Sequence, residues 1–260
     1  QQAGKFGDWF NYNINCKFND DYIYEPFSRF QQEQVYGRID FTYPVAAGDP
    51  VIQDIEDNPW YGMYMTTAEV NLYLAEFKLL GANLPGSAQE YFNKALRASV
   101  EEYDRLARSN KIPYYGTTYN YDPNEKPIDL VAGEIDEMMS YKDYQLTGNK
   151  ASDLEKVYIQ QILHFLMSPI DAYSTARRSG VPKIGSSIFP RMDYSANGYP
   201  VTNIPRRVAL NAPNPTDLMY DNLIEAYKEQ GLSVGSGDIL NSERIWQDTN
   251  APQWGAGPIL

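Results

Sequence analysis

The sequence predicts a mainly α-helical fold in which helices alternate with long irregular stretches. Three observations predict it. Apolar residues recur with a 3.6-residue period in four places, each flanked by capping or stop residues. Gly-, Pro- and Asn-rich stretches separate those places. The chain has 260 residues and is 43% apolar, enough for a hydrophobic core and too apolar for intrinsic disorder.

Residues 1–60 read as irregular: aromatic side chains from Trp9 to Trp60 are spaced by Asn, Asp, Gly and Pro with no lasting period. The first strong helix follows Asn58-Pro59. Its expected apolar face is Val70, Tyr73, Leu74, Phe77 and Leu80, with Thr66 or Thr67 as cap and Gly81 as terminator. A short turn, Ala82 to Gly86, leads to a second helix capped by Ser87, with Glu90 at the capping-box position, running to about Ala107. So short a turn predicts antiparallel packing of the two. Residues 109–130 read as a loop and Val131–Ser140 as a short helix. A third long helix is expected from a cap at Ser152 or Asp153. It presents Leu154, Val157, Tyr158, Gln161, Ile162, Phe165 and Leu166, bends at Pro169, and continues to Arg177-Arg178 before Gly180 and Pro182 stop it. Residues 183–215 read as coil, and a fourth helix spans Thr216–Gln230, ended by Gly231. No linker divides the chain, so residues 1–260 read as one domain, with an irregular aromatic part (1–60) and a helical part with long coils (61–260).

Charge and composition exclude several functions. With 22 Lys+Arg against 34 Asp+Glu the net charge is −12, and basic residues occur in nothing longer than doublets. A nucleic-acid partner is therefore not expected, because phosphate binding needs clustered cations. The single Cys16 cannot form an internal disulfide, and the single His164 rules out a site needing two imidazoles from this chain. No apolar run approaches the ~18–20 residues of a membrane-spanning helix, and the start, Gln1-Gln2-Ala3-Gly4-Lys5, has neither a signal peptide's apolar core nor a lipid-attachment cysteine.

Catalytic motifs are missing too: the sequence holds no phosphate loop, dinucleotide fingerprint, H-E-x-x-H or G-x-S-x-G. His164, between Leu163 and Phe165, reads as a satisfied helix histidine. The acidic cluster Asp54, Glu56 and Asp57 lacks an EF-hand loop and reads as a solvated turn. Glu69 and Glu76 lie two turns apart on one side of the first helix, either a carboxylate pair or a structural polar contact, and the structural role is preferred. The doublets Arg177-Arg178 and Arg206-Arg207 read as braces for the coil regions beside Pro182 and Pro205. No catalytic residue, metal or cofactor is assigned.

The run Met65-Thr66-Thr67-Ala68-Glu69-Val70-Asn71-Leu72-Tyr73-Leu74-Ala75-Glu76 resembles the A-E-V-x-x-x-x-A-E signature of the SusD/RagB family of outer-membrane nutrient-binding lipoproteins. Three further segments resemble that family in the same order. They are Glu90–Ser99, Ile159–Gln161 through Arg177-Arg178-Ser179-Gly180-Val181-Pro182, and Ile204-Pro205-Arg206-Arg207-Val208, with Asn222 in the helix that follows. Gln161-Ile162 departs from the family's frequent Gln-Lys. The resemblance implies a mainly α fold of tetratricopeptide-like helix pairs with extensive irregular loops. It also implies a non-enzymatic surface lipoprotein on the exterior face of the outer membrane. Such a protein caps a TonB-dependent transporter and passes it a glycan or, in some members, a peptide. Because members are longer, this chain is expected to be a C-terminal portion, with further helix pairs and an anchoring cysteine upstream of Gln1; the membrane would then be reached only through a lipid anchor that this chain lacks.

The residues themselves suggest how such a protein would hold a ligand. The chain has 22 tyrosines, 4 tryptophans and 10 phenylalanines. An aromatic ring offers a flat apolar face to the C–H face of a pyranose, while nearby amides and carboxylates bond its hydroxyls. Candidate platforms are Trp9, Tyr12, Tyr22, Tyr24, Trp60, Tyr114, Tyr115, Tyr119 and Tyr121, with Asn11, Asn13 and Asn120 as polar partners; each ring taken alone is also what a packed loop supplies. Two other functions compete: a glycoside hydrolase using a carboxylate pair, and a helical scaffold that binds protein without a small ligand.

Overall fold

The computed structural model describes residues 64–109, 130–191, 194–196, 199–201, 205–237 and 239–260. Helix α1 is Thr67–Leu80 and ends at Gly81, whose φ of 105° suits a residue without a Cβ. The buried residues of α1 are Ala68, Leu72, Ala75 and Glu76, spaced i, i+4, i+7 and i+8. The face expected from sequence is displaced: Val70, Phe77 and Leu80 are 38%, 49% and 43% exposed. The helix is apolar on more than one side, so periodicity alone selects the larger side chains, whereas the structure buries the side carrying alanines.

Ser87 and Glu90 form the expected reciprocal cap of α2 (Ala88–Ser109): the Glu90 carboxylate accepts from the Ser87 amide at 2.7 Å, and the Ser87 hydroxyl accepts from the Glu90 amide at 3.1 Å. Those bonds hold the Glu90 carboxyl below its ordinary pKa, the Ser87 amide contributing most. The short helix α3 is Glu134–Ser140, three residues shorter than expected at its start. Its first residue folds back so that the Glu134 carboxylate accepts from the Val131 amide at 2.9 Å, which fixes Val131 outside the helix.

The third long helix of the sequence reading is two helices. Helix α4, Lys150–His164, begins earlier than expected because Asn149 is the cap, accepting from the Ser152 amide at 3.1 Å. Asp153 instead ties down the preceding loop, accepting from the Thr147 and Gly148 amides at 2.7 and 2.8 Å. After a 3₁₀ turn, Phe165–Met167, helix α5 runs Pro169–Ser179 with proline in its first turn. A proline there has no amide to leave unpaired, so Pro169 restarts the helix instead of bending it. Helices α4 and α5 pack against each other. Of the face predicted for α4, Leu154, Val157, Tyr158, Gln161 and Phe165 are buried, and Leu166 is exposed.

Between α5 and the C-terminal part lies a hairpin that the coil reading of 183–215 omits. Strand β1, Tyr194–Ala196, pairs antiparallel with β2, Tyr199–Val201, in the register Tyr194↔Val201. Three-residue strands are too short to show alternation, and Pro200 speaks against a strand in sequence. Helix α6 is Tyr220–Glu229, starting four residues later than expected, since Thr216 and Met219 bond through their amides to Asn214 and Asp217 in a turn. A short α7, Ile239–Ser242, and a 3₁₀ turn, Trp246–Asp248, complete the order.

Two units emerge from the backbone contacts. The described residues of the first are 64–67, 96–109 and 130–138. It buries Leu96, Leu106 and Ile135, and Arg97 pairs there with Asp136. The second comprises the described residues of 68–95 and 139–260. At its centre Leu154, Tyr158 and Ile159 of α4 meet Val181, with Leu79, Ile162 and Ile188 packed around them.

Candidate functional site

Among the described residues of the second unit, two buried arginine–carboxylate centres and one exposed aromatic turn stand out. The first centre is built on Glu76, whose helix position faces α4. Its carboxylate accepts from the Tyr158 hydroxyl and the Gln161 amide, each at 2.8 Å, and takes both guanidinium nitrogens of Arg178, the second at 2.8 Å. Arg178 also donates to the Gln161 side-chain oxygen at 2.6 Å, and its guanidinium lies over the rings of Tyr158 and Tyr73 at 5.0 and 5.7 Å. Burial pushes the Glu76 carboxyl up, but the hydrogen bonds and charge of Arg178, helped by Gln161 and Tyr158, outweigh burial and hold it below the ordinary range. Burial and then the Glu76 charge push the Tyr158 hydroxyl up. For Arg178 burial works against the charge, and the Glu76 carboxylate more than offsets it, so its pKa rises. Glu76 therefore remains an anion whose lone pairs are committed. It is a tie between α1, α4 and α5, the structural role preferred from sequence, and not one half of an acid–base pair.

The second centre carries the other arginine doublet. Arg206, 1% exposed, donates to both oxygens of buried Asp248, from Nε at 2.6 Å and Nη2 at 2.5 Å, and to the Arg177 carbonyl at 3.1 Å. Arg177 returns a bond to the Arg206 carbonyl at 3.1 Å and approaches Asp248 at 3.7 Å. Arg207 donates to Glu243 and to the Ser233 carbonyl, the latter at 2.7 Å. Glu243 also accepts from the Ser233 amide; the Ser233 bonds and then Arg207 bring its carboxyl down to about 2. Both doublets are thus braces, as their place beside Pro182 and Pro205 suggested, and Tyr173 adds a bond to the Pro205 carbonyl.

These braces fix the turn Arg244–Ala251. Arg244 donates to the carbonyls of Asp248 at 3.0 Å and of Ala251 at 2.5 Å. The Asp248 amide donates to Ile245 at 2.9 Å, and the Thr249 hydroxyl to Trp246 at 3.1 Å. On this hydrogen-bonded turn Trp246 is 74% exposed, with Gln247, Thr249 and Asn250 exposed on the same turn. Sequence reasoning passed over Trp246, because it sits outside the long irregular stretches where rings are concentrated.

The sequence-derived platforms Trp9, Tyr12, Tyr22, Tyr24, Trp60, Tyr114, Tyr115, Tyr119 and Tyr121 lie outside the described residues, as do Asn11, Asn13, Asn120, Cys16 and the acidic cluster at Asp54, Glu56 and Asp57. His164 is buried at the end of α4, tilted against Phe165 with ring centroids 5.7 Å apart. Among the described residues no three His, Cys, Asp or Glu side chains are grouped as metal ligands, and no helix is long and apolar enough to cross a membrane.

The family profile described as SusD-like, "Susd and RagB outer membrane lipoprotein", matches residues 51–230. This chain belongs to the SusD-like family. The match includes the Glu76, Gln161 and Arg178 tie and the arginine doublet at 206–207, and the family is one of outer-membrane lipoproteins. Similar solved structures include a SusD homologue from Bacteroides fragilis NCTC 9343, with 25% identity and a TM-score of 0.44 over 69% of this chain and 34% of that one. A chitin-binding SusD homologue from Flavobacterium johnsoniae shows 21% identity and a TM-score of 0.38 over 72% of this chain and 36% of that one. The chain spans about a third of the length of these solved structures. No curated protein matches it.

Proposed function

We propose that the protein binds a glycan at the exterior face of the outer membrane, without breaking a bond, and hands it to a TonB-dependent transporter. Membership of the SusD-like family is the observation that carries this reading. The chemistry of the chain supports it. The supply of aromatic rings suits stacking on pyranose faces. The described carboxylates Glu76, Glu243 and Asp248 are each engaged by arginine, and so are poorly placed to protonate or attack a glycosidic bond. A preorganised framework also limits the ordering cost of binding a flexible oligomer.

Isothermal titration of the full-length protein with maltohexaose, cellohexaose, xylohexaose, chitohexaose and a peptide mixture tests the ligand class. Saturable binding of at least one hexasaccharide, with no release of reducing ends on prolonged incubation, is expected. Binding of peptides alone would move the reading to a peptide carrier, and release of reducing ends would move it to a hydrolase. Co-purification of a TonB-dependent transporter from detergent-solubilised outer membranes tests the handover.

A further inference from the structure

Trp246 is the most apolar ring that the described part of the C-terminal turn places in water, and folding does not explain it. An indole left 74% exposed forgoes the stabilisation that its burial would give. The turn that carries it is nevertheless held by several side-chain bonds to its backbone and to Asp248. Asp248, two residues on, is locked by Arg206 and Arg177. Arg244 grips the carbonyls that follow, and the Thr249 hydroxyl closes the turn onto Trp246 itself. Three arginines thus fix the backbone beneath one exposed ring.

The surroundings of that ring point to the kind of ligand. A protein anchor usually sits in an apolar patch ringed by polar groups. On this turn the exposed neighbours of the indole are Gln247, Thr249 and Asn250: two amides and a hydroxyl, with no second exposed apolar side chain between Arg244 and Asn250. A flat apolar ring on a turn whose other exposed side chains are neutral donors and acceptors matches an amphipathic, uncharged, hydroxyl-rich molecule. Because the turn is already fixed, such a ligand pays little to order it.

We infer that Trp246, with Gln247 and Asn250, forms a glycan subsite in which the indole stacks on the C–H face of a pyranose and the amides bond its hydroxyls. The subsite rests on the glycan-binding reading above and adds a place for it in a part of the chain where no ligand contact was expected from sequence.

The test uses the full-length protein and the hexasaccharide that binds it best. Trp246→Ala is expected to weaken Kd about tenfold, the loss of one well-placed aromatic contact. Trp246→Tyr, which keeps a ring, stays within about threefold of the wild type on the same scale. Indole emission shifts to shorter wavelength on saturation, Trp246→Phe diminishes that shift, and Trp254→Phe leaves it. Unchanged affinity in Trp246→Ala, or a shift of undiminished size in Trp246→Phe, overturns the subsite while leaving glycan binding intact. A wild type that binds none of the hexasaccharides overturns both. Should Trp246→Ala fail to fold, the Tyr and Phe variants decide the matter alone.

Discussion

Removing one carboxylate, that of Glu76, would leave the Arg178 guanidinium without its counter-charge, since Glu76 accepts from both of its terminal nitrogens. Glu76→Gln keeps the shape and an acceptor for Tyr158 but not the charge. Breaking a buried pair on one side costs about 3–5 kcal/mol, and the 38% side-chain exposure of Arg178 places this case toward the lower end. The urea midpoint of the variant should fall accordingly. The double variant Glu76→Leu with Arg178→Met should recover much of the loss, because neither side then leaves a charge behind. The same pair sets an acid limit. The folded-state pKa of Glu76 lies below the ordinary carboxylate value of about 4.3, so its contribution is complete above that pH and is lost as pH falls through the folded value. Glu243, down to about 2, behaves alike, but water screens it more and its share is smaller. The melting temperature should hold between about pH 7 and pH 5 and decline toward pH 2. The gap between wild type and Glu76→Gln should narrow over the lower range, and a gap that stays constant with pH would refute the assignment.

At the scale of elements, the end of α5 is the most demanding junction. Gly180 has φ 69°, and a Cβ there would stand 2.8 Å from the Gln253 carbonyl oxygen and 3.0 Å from the Gly257 amide nitrogen, both backbone atoms that cannot swing aside. The Gly180 carbonyl accepts from the Gly255 amide at 2.9 Å, and the Gly255 carbonyl accepts from Ile184 at 2.8 Å, so the C-terminal segment is laced onto this corner. Gly231, with φ 66°, has open space around its would-be Cβ. Gly231→Ala should cost about 1 kcal/mol, the left-handed backbone penalty alone. Gly180→Ala should cost clearly more and expose residues near 253–257 to faster amide exchange; equal losses in the two variants would argue against the clash. The contrast also shows what sequence could and could not convey. Gly180 and Gly231 were both legible as helix ends, and Ser87 with Glu90 as a cap, because these signals act within a few residues. The Glu76 tie was legible only as a preference, since Tyr158, Gln161 and Arg178 lie 82 to 102 residues away. The buried face of α1 differs from the periodic one because alanines carry little periodic signal, and Pro169 reads as a bend because proline in a first turn and proline in a kink look alike in sequence. Trp246 carries no sequence signal of its own: it stands apart from the ring-rich stretches, and its exposure depends on the bonds of Asp248 to a residue 42 positions away.

For the chain as a whole, the charge of −12 separates two ways of holding a sugar. Recognition through stacking and neutral hydrogen bonds is indifferent to ionic strength, whereas contacts between exposed charges weaken as the screening length drops from about 30 Å at 0.01 M salt to about 3 Å at 1 M. A surplus of carboxylates repels uronic or sulfated glycans at low salt, and the arginine doublets, Arg177, Arg178, Arg206 and Arg207, are engaged by Glu76, Asp248 and Glu243. The affinity for a neutral hexasaccharide should therefore change by less than about twofold across that salt range, while an anionic glycan of the same length should bind more weakly at low salt than at high. Titration of both ligands across the range measures this directly. Affinity for the neutral ligand that collapses with added salt would place charged groups at the centre of recognition and remove the aromatic rings from it.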